Sequence, residues 1–264
     1  MRHLLAALPA GTRVLDLGAG SGSFSAPPGI FVVRLDLAPP LARASGSWVA
    51  ADAAILPFAS ASFHAIISNH SLEHFPELDS TLREVARVIR PGGAFYVSVP
   101  DAGTLTDHIY RWLGRGGGHV NPFRSAPSLA TRIGGITGLP HRGTRTLYTS
   151  LCFLNAHNFR SRPPRKIGLF AFGNERFLAV FTWMLRWLDR RFHTNVSCYG
   201  WSLYFGSAQP SEPAEEWVNA CVRCGSGHSQ AFLEEKRAIP ASTHRSIWYR
   251  CPECGGLNLL TPEE

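Results

Sequence analysis

Val14-Leu15-Asp16-Leu17-Gly18-Ala19-Gly20-Ser21-Gly22 is the stretch on which the fold turns. The apolar run from Arg13 to Leu17 reads as a buried strand. The glycines after it end the strand in a loop where the backbone can approach a ligand closely. Working outward, Ile30 to Leu35 is a second strand ended by Asp36, Ala65-Ile66-Ile67-Ser68 a third, and Ala94 to Val99 a fourth. Between the last two, apolar residues at 82, 85, 86 and 89 keep helix spacing, and Pro91-Gly92-Gly93 stops that helix. Strands alternating with helices predict an α/β fold with a doubly wound, mostly parallel sheet. Ligands of such sheets sit at the C-terminal strand ends, where Asp16, Asp36, Asn69 and Asp101 fall. A carboxylate at Asp36 can accept from both hydroxyls of a ribose, and Asp52, ahead of Leu56-Pro57-Phe58, is placed to reach an adenine amino group. Together with the glycine loop, these point to a nucleoside ligand.

The composition fits that class. The chain of 264 residues is 45% hydrophobic and 17% charged, a globular profile that excludes a disordered or collagen-like chain. No apolar run reaches the roughly 18 residues needed to span a bilayer. Met1 to Pro9 holds too short an apolar stretch for a secretory signal, so a cytoplasmic location is expected. The net charge of +7 points to a polyanion, a phosphorylated substrate or an anionic membrane surface as partner. Nearly all of the excess lies in 155–195, a basic insertion between two further strands read at 145–154 and 196–206. Within it, Phe177 to Leu188 is apolar except for Thr182 and Arg186, and Arg190-Arg191 follow. Segment 165–192 therefore reads either as a helix lying in the interface of an anionic membrane, on its inner face, or as a helix covering the sheet with its basic end in water.

Residues 209–216 are rich in Pro, Ser and Glu and read as a linker, dividing the chain into a main domain, 1–208, and a tail, 217–264. A tail that small needs a staple. Cys221-Val-Arg-Cys224-Gly225 and Cys251-Pro-Glu-Cys254-Gly255 supply one: two Cys-x2-Cys knuckles aiming four thiolates at one point, the spacing of a structural zinc site. Disulfides and a rubredoxin-like iron site are the competing uses of such a set. Cys152 and Cys198 are expected in the two late strands as buried, inert thiols.

In order, Val14 to Gly22, Asp36, Ala51-Asp52-Ala53-Ala54-Ile55-Leu56-Pro57-Phe58, Ser71-Leu72-Glu73-His74 and Leu82 to Gly93 resemble the class I S-adenosylmethionine-dependent methyltransferases of type 11. The resemblance is strong over 12–101 and loose over 102–206. It implies a cofactor-binding set of Asp16, Gly18, Ala19, Gly20, Asp36, Leu37, Asp52, Ala53, Asn69 and His70. In that set Gly18 and Gly20 pack on the cofactor's amino-acid part, Asp36 holds the ribose, Asp52 and Ala53 border the adenine, and Asn69-His70 face the methionine end. The rival, a dinucleotide-binding dehydrogenase, wants Gly-x-Gly-x-x-Gly, and Gly18-x-Gly20-x-Gly22 is one residue short. Two departures stand out. Only Ser23 to Gly29, with Pro27-Pro28, separates the glycine loop from the next strand, so the usual helix there is very short or absent. His64 also stands where the family usually has Asp, a position expected to be peripheral.

Methyl transfer from a sulfonium is an in-line displacement in which positioning supplies much of the acceleration. A hydroxyl acceptor also needs a base, for which His70, His74 and His119 are the candidates. Arg115-Gly116-Gly117-Gly118 reads as a lid or as a plain exposed loop. Ser68-Asn69-His70-Ser71 lacks the Asp/Asn-Pro-Pro-aromatic signature of nucleobase amino-methylating enzymes. The tail is similar to the zinc-ribbon module fused to methyltransferases of sugar and surface-polysaccharide pathways, although there it precedes the catalytic domain. The expected activity is methyl transfer to a sugar, glycolipid or other small molecule. An RNA methyltransferase is the second reading, disfavoured because basic and acidic residues balance in the tail. A degenerate methyltransferase fold acting as a binding subunit is the third.

Overall fold

Helix α1 (Arg2–Ala6) leads into β1 (Arg13–Leu17), whose last four residues are all buried. That continuous burial is what a strand inside a parallel sheet requires, and it explains why β1 reads as an unbroken apolar run. The computed structural model describes residues 1–38, 46–113, 118–159, 173–210, 218–241, 244–245 and 247–263. β2 (Phe31–Asp36), β3 (Ser47–Ala50), β4 (Phe63–Asn69), α2 (Leu78–Val88) and β5 (Ile89–Pro100) follow. After them come α3 (Leu105–Leu113), α4 (Ala126–Thr137), β6 (His141–Tyr148), α5 (Ala156–Phe159), α6 (Glu175–Phe192) and β7 (Cys198–Gly206). The seven strands form one sheet in the order β3-β2-β1-β4-β5-β7-β6. β1 pairs in parallel with both β2 and β4, β2 with β3, and β4 with β5. The order reverses between β1 and β4, which opens the crevice where a ligand of such a sheet binds.

The connection from β1 to β2 contains turns and bends but no helix, as Pro27-Pro28 predicted. α2 ends at Val88 because Ile89 is already extended, and Pro91-Gly92-Gly93 lies inside β5 at an irregularity in its register with β4. His64 sits near the N-terminal end of β4, where its Nδ1 accepts the Arg13 amide at 3.1 Å. It is thus remote from the ligand end of the strand. The strand read at 145–154 is instead β6, ending at Tyr148. Leu151 turns the chain with a φ of 49°, and Cys152 to Leu154 form a short 3-10 helix. Cys152 is therefore outside any strand, whereas Cys198 does open β7. Residues 115–117 of the expected lid lie outside the described residues.

The chain divides into two compact units. The first comprises Met1–Asp101, His119–Arg145 and Trp201–Ala214 and carries the parallel part of the sheet. Its core lies on both faces, one cluster around Leu15, Ile66, Leu82 and Phe95, the other around Val14, Val32, Ile67 and Tyr96. The second comprises Ala102–Gly118, Thr146–Gly200 and Glu215–Glu264. It joins α6 to the tail's helix α7 (Gln230–Glu235) and antiparallel pair β8 (Trp248–Arg250) and β9 (Leu257–Leu259).

Asn174 caps α6 by accepting the Arg176 and Phe177 amides, and Asp189 closes its far end by accepting the Val196 and Ser197 amides. The inner face of α6, with Leu178 and Ala179, packs on Leu151, Leu154 and Val222. Arg186 is on that face at 3% exposure, donating to the Thr149 carbonyl at 3.0 Å and the Ala220 carbonyl at 3.4 Å. Burial lowers its pKa to about 10, which leaves it charged at neutral pH. It cannot be the lipid contact expected for segment 165–192, of which residues 165–172 lie outside the described residues. Asn155 and Asn158 donate to the Val222 and Arg223 carbonyls, and Arg223 forms a two-pronged ion pair with Glu175 at 2.6 and 2.9 Å. The tail thus packs as part of the unit that holds α6, while most of the expected linker, 211–216, lies outside the described residues. Among the described residues no helix is long and apolar enough to cross a membrane.

Candidate active site and cysteine cluster

Gly18, Gly20 and Gly22 all have positive φ, so the loop after β1 follows a path that glycine takes without strain. Their surroundings differ. A Cβ on Gly18 would lie 2.5 Å from Ser71 Cβ and 2.9 Å from Phe75 Cζ, so its bareness lets the loop seat on the turn after β4. A Cβ on Gly20 would meet nothing within 4 Å, leaving open space above the loop. The Gly20 amide donates to Asp36 Oδ2 at 2.8 Å and the Ala38 amide to Oδ1 at 3.1 Å. The carboxylate at the end of β2 is thereby aimed at the glycine loop.

Asp16 is fully buried. Its Oδ2 accepts the Ser23 amide at 3.0 Å and lies 3.9 Å from Arg34 Nε, while desolvation raises its pKa. Its other oxygen is buried without a hydrogen-bond partner among the described residues. Asp52 is exposed and closes a turn by accepting the Ala54 amide, and Ala53 is buried beneath it. Leu37, after β2, and Ile55, in the turn after Asp52, are 77% and 76% exposed. Ile55 was not singled out from the sequence; a single apolar residue in a loop carries no periodic signal.

On the other side of the loop, Ser71 ties the two halves of the site. Its hydroxyl donates to the Leu17 carbonyl at 2.7 Å and meets Ser68 Oγ at 2.6 Å. Asn69 accepts from Ser98 Oγ, and the His70 amide donates to the Ser98 carbonyl, which places His70 at the turn with a φ of 53°. His70 is half-buried, and desolvation first, then His119 and His74, lower its pKa to about 4. The structure does bring the three predicted histidines together. His74 and His119 meet edge to face at 4.9 Å between ring centroids. Glu73, absent from the sequence-derived site set, is 2% exposed, with Oε1 at 4.0 Å from His70 Nδ1. The Val120 and Asn121 amides both donate to the Glu73 carbonyl, and Asn121 Nδ2 donates to the Leu72 and Phe75 carbonyls. Asn121 is thus a fastener that spacing alone did not reveal.

In the tail, Cys221, Cys224, Cys251 and Cys254 converge with their sulfurs within 4.8 Å of one another. Two of the separations are 3.6 and 3.8 Å. A tetrahedral zinc site with Zn–S of about 2.3 Å has sulfurs about 3.8 Å apart, so the donor set fits that ion. The knuckles match each other. Gly225 and Gly255 have positive φ, and their amides donate to the Cys221 and Cys251 carbonyls, each at 2.9 Å. Amides of Arg223 and Gly256 and the Asn258 side chain donate to the sulfurs, as thiolate ligands require. All four cysteines are unbridged.

The sheet order, the glycine loop and the acidic end of β2 define a Rossmann-like methyltransferase fold. Residues 15–97 match the family described as a methyltransferase domain. A biotin biosynthesis bifunctional protein of Cellvibrio japonicus is 36% identical over 56% of this chain and 34% of its own length. A malonyl-[acyl-carrier protein] O-methyltransferase of Methylococcus capsulatus is 35% identical over 50% of this chain and 53% of its own. The chain thus spans between a third and about half of these curated relatives. Among solved structures, the YcgJ protein of Bacillus subtilis superposes with a TM-score of 0.50 at 19% identity, covering 80% of this chain and all of that one.

Proposed function

We propose that the protein is an S-adenosylmethionine-dependent methyltransferase acting on an oxygen of a small acceptor, the class that includes sugars and glycolipids. The observation that carries this reading is the Asp36 carboxylate held against the Gly20 amide, beside open space that a Cβ at Gly20 would fill. S-Adenosylmethionine, when bound, supplies an activated methyl group on a sulfonium. The chain's own residues orient and enclose it. Asp36 accepts from the ribose hydroxyls, and Leu37 and Ile55 cover the adenine faces. Asp52 and Ala53 border the adenine edge. The spare oxygen of Asp16 adds negative charge beneath the loop, where the cationic amino-acid end belongs. Asn69 and His70 lie at the methionine end, and His70, His74 and His119 line the acceptor side. The names of the matched relatives support an oxygen acceptor. Nothing in the tail favours nucleic acid, since its basic and acidic residues balance. The four cysteines hold a structural zinc that fastens the tail.

Asp36→Ala removes a charged hydrogen-bond partner, a loss of about 1.5–3 kcal/mol. Calorimetry should show S-adenosylmethionine binding about 10- to 150-fold more weakly, with Asp36→Asn between the variant and the parent protein. Equal affinity in all three proteins would remove Asp36 from the site.

A further inference from the structure

We propose that Glu73, His74 and His119 form a binding site for a divalent transition-metal ion that activates the acceptor oxygen. The proposal rests on the methyl-donor reading above and adds the means of acceptor activation. The carboxylate and the two imidazoles offer one ligand atom each, all within 4.8 Å of one another. Ions of this class sit about 2.0–2.2 Å from each nitrogen or oxygen donor, so small side-chain rotations close the set around one centre. Two imidazoles with one carboxylate suit manganese, iron or zinc, and three protein ligands leave coordination positions open. The cysteine cluster is the opposite case: four soft donors and no vacancy.

The local architecture is built to hold this set. Glu73 and His74 belong to the 3-10 turn Leu72–His74, and the chain that carries His119 is fastened to it. The Val120 and Asn121 amides reach the Glu73 carbonyl at 2.8 and 3.0 Å, and Asn121 Nδ2 reaches the Leu72 and Phe75 carbonyls at 3.0 and 2.7 Å. Four hydrogen bonds over two residues fix His119 opposite His74, the rigidity that a ligand set needs.

Position gives the site its chemistry. The same turn abuts the glycine loop, since Ser71 donates to the Leu17 carbonyl and packs on Gly18. A cation at Glu73, His74 and His119 therefore lies on the acceptor side of the methyl donor. There it lowers the pKa of an acceptor hydroxyl. The hydroxyl proton passes to solvent and the oxygen attacks the methyl carbon. The new O–C bond forms as the S–C bond breaks. The sulfur keeps that electron pair, and the sulfonium becomes the neutral thioether of S-adenosylhomocysteine.

The test uses Mn2+ as probe, on the full chain with its cysteine cluster loaded with zinc. Electron paramagnetic resonance and calorimetry should show one Mn2+ taken up per chain. His74→Ala, at an exposed position, and His119→Ala should each weaken uptake at least about tenfold, the lower end of what far smaller changes around metal sites cost. S-Adenosylmethionine affinity should stay within twofold in both. Glu73→Gln, checked for folding by circular dichroism, should behave like the histidine variants. Absence of Mn2+ uptake up to millimolar concentration overturns the proposal, as does unchanged uptake in the His74→Ala/His119→Ala pair. Mn2+ uptake by a chain that binds no S-adenosylmethionine would instead sink the donor reading, and with it the acceptor-activating role.

Discussion

Cys251→Ser should release zinc and unfold far more than the knuckle it belongs to. Metal ligation in small zinc modules supplies apparent free energies of about 10–16 kcal/mol, and residues 217–264 bury too little to replace it: their own core is Leu233, Ile239, Tyr249 and Leu260. The tail also completes the surroundings of α6. Val222 belongs to the cluster with Leu178 and Ala179, the Ala220 carbonyl accepts from the buried Arg186, and Arg223 neutralises Glu175. Loss of the tail strips one of the carbonyl partners from a guanidinium at 3% exposure, a state that costs several kcal/mol. Elemental analysis should find one zinc per chain in the parent protein and none in the variant. Hydrogen exchange should show α6 losing protection along with 217–264, and a chain cut after 208 should show the same loss. Because Asp36 and the glycine loop belong to the other compact unit, calorimetry should find S-adenosylmethionine affinity kept. Retention of full protection in α6 after zinc loss would refute the shared stability. Absence of zinc from protein purified without chelator would refute the metal assignment.

Gly18→Ala should be a strongly damaging single-methyl change in the parallel sheet's unit. Two costs add. A residue with a Cβ at a φ of 70° carries about 1–2 kcal/mol of left-handed strain. The new methyl would also lie 2.5 Å from Ser71 Cβ, a position pinned by hydrogen bonds to Ser68 and to the Leu17 carbonyl. Overpacking of that kind costs about 1–3 kcal/mol more. Chemical denaturation should thus register a loss of about 2–5 kcal/mol. Gly20→Ala meets no neighbour and should incur only the strain, yet it narrows the space assigned to the donor. The expected pattern is a crossing. Gly18→Ala loses more stability, and Gly20→Ala loses more S-adenosylmethionine affinity relative to its stability. Equal stability of the two variants would show that the contact with Ser71 is not the constraint at Gly18.

These two glycines show how far the chain could be read from its letters. The alternation of strand and helix and Asp36 at the end of β2 were legible because parallel strands are buried on both faces and their ends are marked by glycine and acid. What separates Gly18 from Gly20 was not, since it depends on Ser71 and Phe75, more than fifty residues away. β3 is short and half-exposed at the sheet's edge, with no periodic pattern strong enough to mark it. The end of β6 at Tyr148 was hidden because Leu151, Phe153 and Leu154 carry the apolar pattern past it. The turn at Leu151 depends on a backbone angle that apolar composition does not announce. The three histidines could be named individually, but Glu73 was hidden within a family motif and Asn121 within a loop. The direction that Arg186 takes was hidden for a related reason. A lone cation in an apolar helix looks the same in sequence whether it faces lipid or two carbonyls.

Arg186 also sets an order on the birth of the molecule. At elongation rates of about 5–20 residues per second, Cys254 is added roughly 3–14 seconds after Arg186. Ala220, whose carbonyl receives the guanidinium, is made halfway through that interval, and the set of four cysteines is incomplete until its end. Until Ala220 has been made, the nascent helix keeps that charge hydrated. Packing around Arg186 therefore waits on residues made well after it, whereas the parallel strands through β5 are complete by Pro100 and can pair while the ribosome is still at work.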